Sequence, residues 1–309
     1  MTAAPDKRPR RPRRGASRAE ARAGVLFATP WMIGLTLFTL LPLILTFYLA
    51  QSRVPIIGLP QWVGLENYKA LWNDPAFWTG ARNSALFAAI SVPMKLLMAL
   101  GLALLLNRVT ALSGFYRTVF YLPFLMPLVA SSIVFTLLLT PGAGPVNLIL
   151  EWFGVAPPDW LRDPKVALWT VIMIALWPLG VETLVFLGGL QNIPKEVNEA
   201  ASLDSPRAWH RLVFITIPLI TPMILFNLVI GIISSFQVFV QALVIGGTTG
   251  QPAESTLMYM VVLYRAAFRY FNMGYAAAMA TVLFGAVLLI TLLIFRTART
   301  WVHYEGDAG

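Results

Sequence analysis

"NEAASLDSPRAWHRLVFITIPLITP", Asn198–Pro222, lies between two long apolar runs, yet it mixes carboxylates, arginines, a tryptophan and prolines in one short stretch. Just ahead of it, Pro194 suits a first helical turn, where its missing N–H has no intrahelical partner to lose. Val197, Ala200 and Ala201 then recur at i, i+3 and i+4, a narrow apolar stripe opposite Lys195, Glu199 and Ser202. "SPRAWHRLVF" restarts a helix, with Ser205 the expected N-cap and Pro206 the first helical position. Trp209, Leu212, Val213 and Thr216 share one face of that second helix. The pattern predicts helix, sharp turn, helix, lying flat on a surface. Two uses fit it: an elbow docked on lipid, or a knob whose small alanines allow close approach to another protein's cleft.

The flanking runs identify the surface. Of 309 residues, 58% are hydrophobic and 12% charged, against about 25% charged in soluble domains. A bilayer-spanning helix needs about 20 mostly apolar residues. Six stretches qualify: Val25–Tyr48, Ala85–Leu106, Val119–Thr140, Val166–Leu190, Leu212–Ile245 and Met273–Phe295. The alternation of a membrane β-barrel is absent. The expected fold is therefore an all-α integral membrane protein of about six transmembrane helices, with residues 191–222 as a cytoplasmic loop. The first run outlasts a signal peptide's apolar region of roughly 7–15 residues, which predicts an uncleaved span. At about 34 residues, the fifth run would reach about 51 Å as a helix, well past a hydrocarbon core of about 30 Å. Its first turns are expected outside the lipid, with Pro218 and Pro222 offering bends.

The net charge of +9 is concentrated, with eight of the 23 Lys and Arg residues in the first 22 positions. A Pro- and Arg-rich tail beside a first span reads as a topology signal touching lipid headgroups rather than as a nucleic-acid arm. With the amino terminus inside, about 15 basic residues fall on the cytoplasmic side and about 7 on the other, and the tail supplies the whole difference. The expected organisation is a basic disordered cytoplasmic tail (1–24), a transmembrane domain (25–300) and a short cytoplasmic tail (301–309). The segments Gln51–Arg82, Pro141–Lys165 and Gly246–Asn272 face the other side, with a composition of turns and short interfacial helices. Trp62, Trp72, Trp78, Trp152 and Trp160 are expected at headgroup level.

Chemistry on the chain itself is excluded in several classes. Cysteine is absent, which removes disulfides and thiolate catalysis. No GxxxxGK[ST] phosphate loop occurs, and His210 and His303 lack companions at metal-ligand spacing. No catalytic residue, bound cofactor or metal is expected. Ionisable residues inside spans are functional candidates, and two stand out, Lys95 in the second run and Glu182 in the fourth. Either they pair with each other, or one lies on a substrate path. The fifth run adds Asn227, Ser234, Ser235, Gln237 and Gln241. Of these, Ser234, Gln237 and Gln241 share an i, i+3, i+7 face, a neutral stripe suited to sugar hydroxyls or to interhelical hydrogen bonds.

Glu199, Ala200, Ala201 and Asp204, followed by "ITIPLITP" (Ile215–Pro222), resemble the cytoplasmic signature loop of binding-protein-dependent ABC importer permeases: E-A-A, two residues, D-G-A, then an Ile/Thr-Leu-Pro ending. The likeness extends over nearly the whole chain after the tail and has the flavour of the carbohydrate-uptake permeases. It is carried by "VGLENYKAL", "DPAFW", "FYLPFLMP", "GGLQNIPKEVNEAA", "QVFVQALVIGG" and "STLMYMVVLYRAAFRYFNMGYAAAMA". One position departs: the family's Gly after the Asp is Ser205 here, which adopts a left-handed turn only at a cost.

The resemblance implies a multi-pass subunit of a prokaryotic inner membrane, with its amino terminus cytoplasmic. It also implies a second homologous permease, a pair of ATPase subunits that hold ATP and Mg, an extracytoplasmic solute-binding protein, and no nucleic acid. The signature loop, including Pro218, would form coupling helices in an ATPase groove, with Glu199 facing a basic residue of that partner. Substrate contacts are implied on the spans flanking the loop, which favours the fifth-run polar residues and the neighbourhood of Trp177 and Gly180. The implied cargo is a carbohydrate or polyol carried by alternating access. Lys95 leaves room for an anionic cargo such as glycerol phosphate. An ion-coupled secondary transporter is the rival class, and the lack of two equivalent halves counts against it.

Overall fold

The computed structural model describes residues 18–108, 113–204 and 207–303. The chain divides into two compact units, Met1–Tyr48 and Leu49–Gly309. The first holds α1 (Arg18–Leu35), a five-residue π segment (Thr36–Leu40) and most of α2 (Leu41–Ala50). Arg22–Ala50 forms one 29-residue apolar stretch whose most apolar window is wholly unburied, the surface that a lipid-facing span presents. Thr29, Thr36 and Thr46 each donate their hydroxyl to the carbonyl four residues back, at 2.8 Å, so none leaves a polar group bare in lipid.

The second unit opens with a short antiparallel hairpin, β1 (Ser52–Arg53) and β2 (Gln61–Trp62). Then come α3 (Glu66–Trp72), the 34-residue α4 (Pro75–Arg108), α5 (Ser113–Leu125), α6 (Leu128–Leu138), α7 (Pro145–Trp152), α8 (Pro164–Leu176) and α9 (Gly180–Asn192). The chain continues through α10 (Lys195–Asp204), α11 (Ala208–Arg211), a π turn (Leu212–Thr216), α12 (Ile217–Leu219), α13 (Thr221–Phe236), α14 (Val240–Gly246), α15 (Tyr259–Tyr264) and α16 (Met273–Trp301). Local chemistry sets several of these starts. Pro164 begins α8 while the Asp163 carboxylate accepts from the Lys165 N–H. Asn272 caps α16 in the same way through Tyr275 N–H. The Asn67 side chain donates to Ala50 O and Ser52 O, both at 3.0 Å, tying the hairpin to α3.

Among the described residues, four helices are long and apolar enough to cross a membrane, and two bent pairs raise the number to six. The third and fourth apolar runs are not straight spans. Gly114–Leu125 and Leu128–Leu138 meet at 94°, and Pro164–Leu176 and Gly180–Asn192 at 52°. Pro127, at the start of α6, has an extended backbone and no N–H to continue the α5 ladder. Pro178, which also has no N–H to donate, lies in the gap between α8 and α9. The fifth run divides at Ile220, between the two prolines, into Ala208–Leu219 and Thr221–Thr249. Its first helix starts at Ala208, two positions later than the sequence pattern placed it. Arg207 is extended there and makes no side-chain cap bond; Ser205 and Pro206 lie outside the described residues.

Of three apolar clusters in the second unit, the two larger flank the region described below. One gathers Leu71, Phe77, Phe87, Ile172, Met258 and Met279; the other, toward α10, gathers Ala99, Ala103, Leu106, Phe186, Leu190 and Ile220. One expectation about the segments opposite α10 needs correction. Part of Gly246–Asn272 is interior, because Met258, Tyr259, Val261 and Val262 are buried. Asn83 Nδ2 donates to Glu254 O and Leu257 O, Ser84 Oγ accepts from Tyr259 N–H, and Tyr259 OH donates to Met279 O at 2.7 Å. Burial pushes the Tyr259 phenol well above its ordinary pKa, keeping the donor protonated. Trp160 is half-buried, with its indole N–H on the buried Asn147 at 2.8 Å and its carbonyl accepting from Thr170. It is a structural pin, while Trp62, Trp72 and Trp152 stand exposed.

Candidate functional site

Between the two apolar clusters lies a cavity of about 610 Å³. On α4, Phe87 belongs to the first cluster, Ser91, Lys95 and Leu96 line the cavity, and Ala99 begins the second cluster. α8 and α9 repeat the order: Ile172 packs in the first cluster, Trp177 and Glu182 line the cavity, and Phe186 packs in the second. Along both helices the cavity thus sits between the two apolar clusters.

Three of the helix breaks lie at this cavity. Pro123, Phe124 and Leu128 line it from the α5–α6 bend, Trp177 and Pro178 from the α8–α9 bend, and Gln237 to Val240 from the gap between α13 and α14. Helix ends leave backbone N–H and C=O groups without intrahelical partners. Within a membrane such groups are tolerated where they line a polar or water-filled space. The third break has no proline. There Ser234 and Ser235 donate their hydroxyls to Gly231 O and Ile232 O, a back-bonding that bends helices, and Phe239 leaves the helical region at φ −135°, ψ −57°.

All eight residues expected on a substrate path line this one space: Lys95, Trp177, Glu182, Asn227, Ser234, Ser235, Gln237 and Gln241. Lys95 Nζ lies 2.8 Å from Glu182 Oε1, their side chains 24% and 16% exposed. The structure pairs the two residues, as the first of the sequence alternatives has it, and both side chains line the cavity. Glu182 Oε2 is buried and accepts no hydrogen bond. Asn227 Nδ2 donates to Glu182 O at 3.2 Å, tying α13 to α9. Trp177 stacks edge-on with Phe135 at 5.6 Å. Gly180 lets the start of α9 approach α5 closely; a Cβ there would stand 2.9 Å from Tyr121 Cα. One expectation fails in detail. Ser234, Gln237 and Gln241 are not one helical face, since the helix is interrupted between Phe236 and Val240; the interruption itself turns all three to the cavity.

Sequence reasoning missed Ser91 and Ser131, two buried hydroxyl residues in the wall. Ser91 sits one helical turn before Lys95, an i, i+4 relation that held the only signal for it.

The segment between α9 and α13 holds the two helices expected, α10 and α11, and the turn expected at Ser205 and Pro206 lies outside the described residues. Glu199 and Ala200 are exposed on α10, while Ala201 is 5% exposed and packed inward. For Asp204 the helical backbone alone is described, and Ser205 lies outside the described residues. Pro218 O accepts from Thr221 Oγ1, which in turn accepts from the His303 N–H at 3.0 Å, joining the end of this segment to the residues after α16.

Comparison with known proteins places this architecture. Residues 95–300 match the family described as the binding-protein-dependent transport system inner membrane component. The probable ABC transporter permease protein YesP of Bacillus subtilis (strain 168) is 37% identical, over 94% of this chain and 94% of its own. The lactose transport system permease protein LacF of Rhizobium radiobacter is 34% identical, over 89% and 94%. A solved bacterial alginate ABC transporter, in complex with an alginate pentasaccharide-bound periplasmic protein, has the same fold. Its TM-score is 0.79 at 23% identity, over 91% of this chain and 96% of that one.

Proposed function

The chain belongs to the binding-protein-dependent transport system inner membrane components, the multi-pass permease subunits of ABC importers, and from that premise we propose that it carries a neutral carbohydrate or polyol by alternating access. The observation that supports this most is the cavity where three helix breaks lie. Its fixed charges, Lys95 and Glu182, cancel, and its remaining polar lining is hydroxyl and amide. Such groups donate to and accept from sugar hydroxyls without a charge to desolvate. Glu182 Oε2, still without a donor, is an acceptor that a sugar hydroxyl satisfies after a small turn about a soft terminal torsion. The relative named for lactose transport favours the same cargo class.

The coupling role follows from Glu199, Ala200 and Ala201 on α10. In this reading α10 docks in a cytoplasmic ATPase subunit that binds ATP and Mg, a second homologous permease completes the pore, and an extracytoplasmic binding protein delivers the cargo. The amino terminus and the 191–222 loop then face the cytoplasm. Residues 1–24 and 301–309 are tails, and 25–300 the permease domain.

The test is to tag the chain, extract it gently from its native membrane and identify by mass spectrometry what stays bound, with and without Glu199→Arg. A second permease and an ATPase are expected with the wild type, and less ATPase with the variant at unchanged chain abundance. Recovery of the chain alone, even after crosslinking, contradicts the reading and favours an ion-driven transporter.

A further inference from the structure

A second pocket, of about 480 Å³, lies where the end of α4 meets the 191–222 segment. Arg108, in the last turn of α4, and the half-buried Arg211 of α11 both line it, together with Asn107 and Thr216. Among the described residues, neither arginine has an ion-pair partner and no Asp or Glu lines the pocket. Of the α10 carboxylates, Glu196 and Glu199 are outside the lining, and for Asp204 the backbone alone is described. Two guanidinium groups sharing one concavity repel each other, and the arrangement is stabilised when an anion lies between them. Guanidinium donors match phosphate oxygens in paired geometry.

The rest of the lining decides which anion. Leu104, Leu190, Ile193, Leu212 and Ile215 make an aliphatic wall, for which a free phosphate has no use. At the rim, Trp209 is 74% exposed, and nearby Phe214 is 65% exposed. An exposed indole beside an apolar wall is the side-chain pattern of the headgroup level. We propose that this pocket binds the phosphate headgroup of an anionic phospholipid of the cytoplasmic leaflet, between Arg108 and Arg211, with the upper acyl chain against the aliphatic wall. The bound lipid would join the end of α4, which lines the cargo cavity one end away, to the coupling segment. The inference rests on the placement of residues 191–222 at the cytoplasmic membrane surface.

The test uses the whole complex, reconstituted in nanodiscs of equal parts phosphatidylglycerol and phosphatidylethanolamine, re-extracted and weighed by native mass spectrometry. Wild type should retain phosphatidylglycerol preferentially. An arginine near an anionic membrane surface is worth roughly fivefold in affinity, so Arg108→Ala with Arg211→Ala should lose about tenfold or more of that retention. Unchanged retention in the double variant overturns the proposal. A wild-type measurement stands beside it in case the variant does not assemble: photoactivatable phosphatidylglycerol should crosslink to peptides carrying residues 104–108 and 209–216, and crosslinks confined elsewhere overturn the proposal. If inorganic phosphate binds the lipid-free complex at these arginines while phosphatidylglycerol is not retained, the site serves a soluble anion and the lipid assignment is wrong. The same spectra report the ATPase and the second permease. An intact complex without lipid enrichment therefore defeats this inference alone, and a missing complex defeats the permease reading.

Discussion

Lys95 Nζ and Glu182 Oε1 meet at 2.8 Å, joining α4 to α9 in the wall of the cargo cavity. The pair does two things at once: it cancels the only fixed charges in the cavity lining among the described residues, and it bridges the 34-residue α4 to one half of a broken pair. Removing one partner of a buried pair costs up to about 3–5 kcal/mol, because the other charge is left uncompensated. Here the cavity admits water, so the cost lies below that range. Glu182→Gln and Lys95→Met should each lower thermal stability of the complex in detergent and reduce uptake. The double variant should recover stability, giving a coupling of about 1 kcal/mol or more in a double-mutant cycle. Additive single effects would show that the pair carries no coupling.

Freeing Lys95 should also change what the cavity accepts. Glu182→Gln leaves one net positive charge beside neutral hydrogen-bonding groups. The ratio of uptake for an anionic sugar over its neutral parent should rise, measured by competition in proteoliposomes. A ratio equal to wild type would place the pair away from the cargo.

Gln237 and Gln241 test the hydrogen-bonding wall. Each hydrogen bond is worth about 1 kcal/mol net, so Gln237→Leu or Gln241→Leu should raise the half-saturating sugar concentration by roughly fivefold. Chain abundance and ATPase co-purification should not change. Loss of both assembly and uptake together would instead mark these amides as packing elements, the interhelical alternative.

Gly180 tests the α8–α9 bend. A methyl group there would stand 2.9 Å from Tyr121 Cα, a backbone atom that cannot swing away. Gly180→Ala should destabilise by about 1–3 kcal/mol through overpacking, read as a lower thermal midpoint with reduced uptake. A midpoint unchanged from wild type would show that α5 and α9 are free to separate at this point.

The apolar runs, the two helices of the 191–222 segment and the two charges within apolar runs were legible in the sequence because each rests on composition over many residues or on one residue out of place. Lys95 and Glu182 stand out because a charge in a span is costly wherever it lies. What was less legible is where helices stop inside the membrane. Pro127 and Pro178 carry a readable signal, and the 94° and 52° bends sit beside them. The break at Gln237–Phe239 has none, since paired serines in an apolar run look the same in a straight helix. Met258–Val262 was read as surface because the run is too short for a span and follows "GGTTGQPAEST"; its burial depends on Asn83 and Ser84, some 170 residues earlier in the chain. The hydrogen bond from Trp160 to Asn147 is likewise a contact that no periodicity shows.

The absence of cysteine from the chain makes one measurement the most direct test of the cargo cavity. Ser234→Cys places a small thiol on the exposed side of α13, in the cavity wall. In the functional complex a charged methanethiosulfonate reagent should label it from the cytoplasmic side without nucleotide and from the opposite side when ATP is held unhydrolysed. Transported saccharide should protect it in both states. Labelling from one side alone in every nucleotide state, or labelling that saccharide does not slow, would contradict the assignment of this cavity as the alternating-access path.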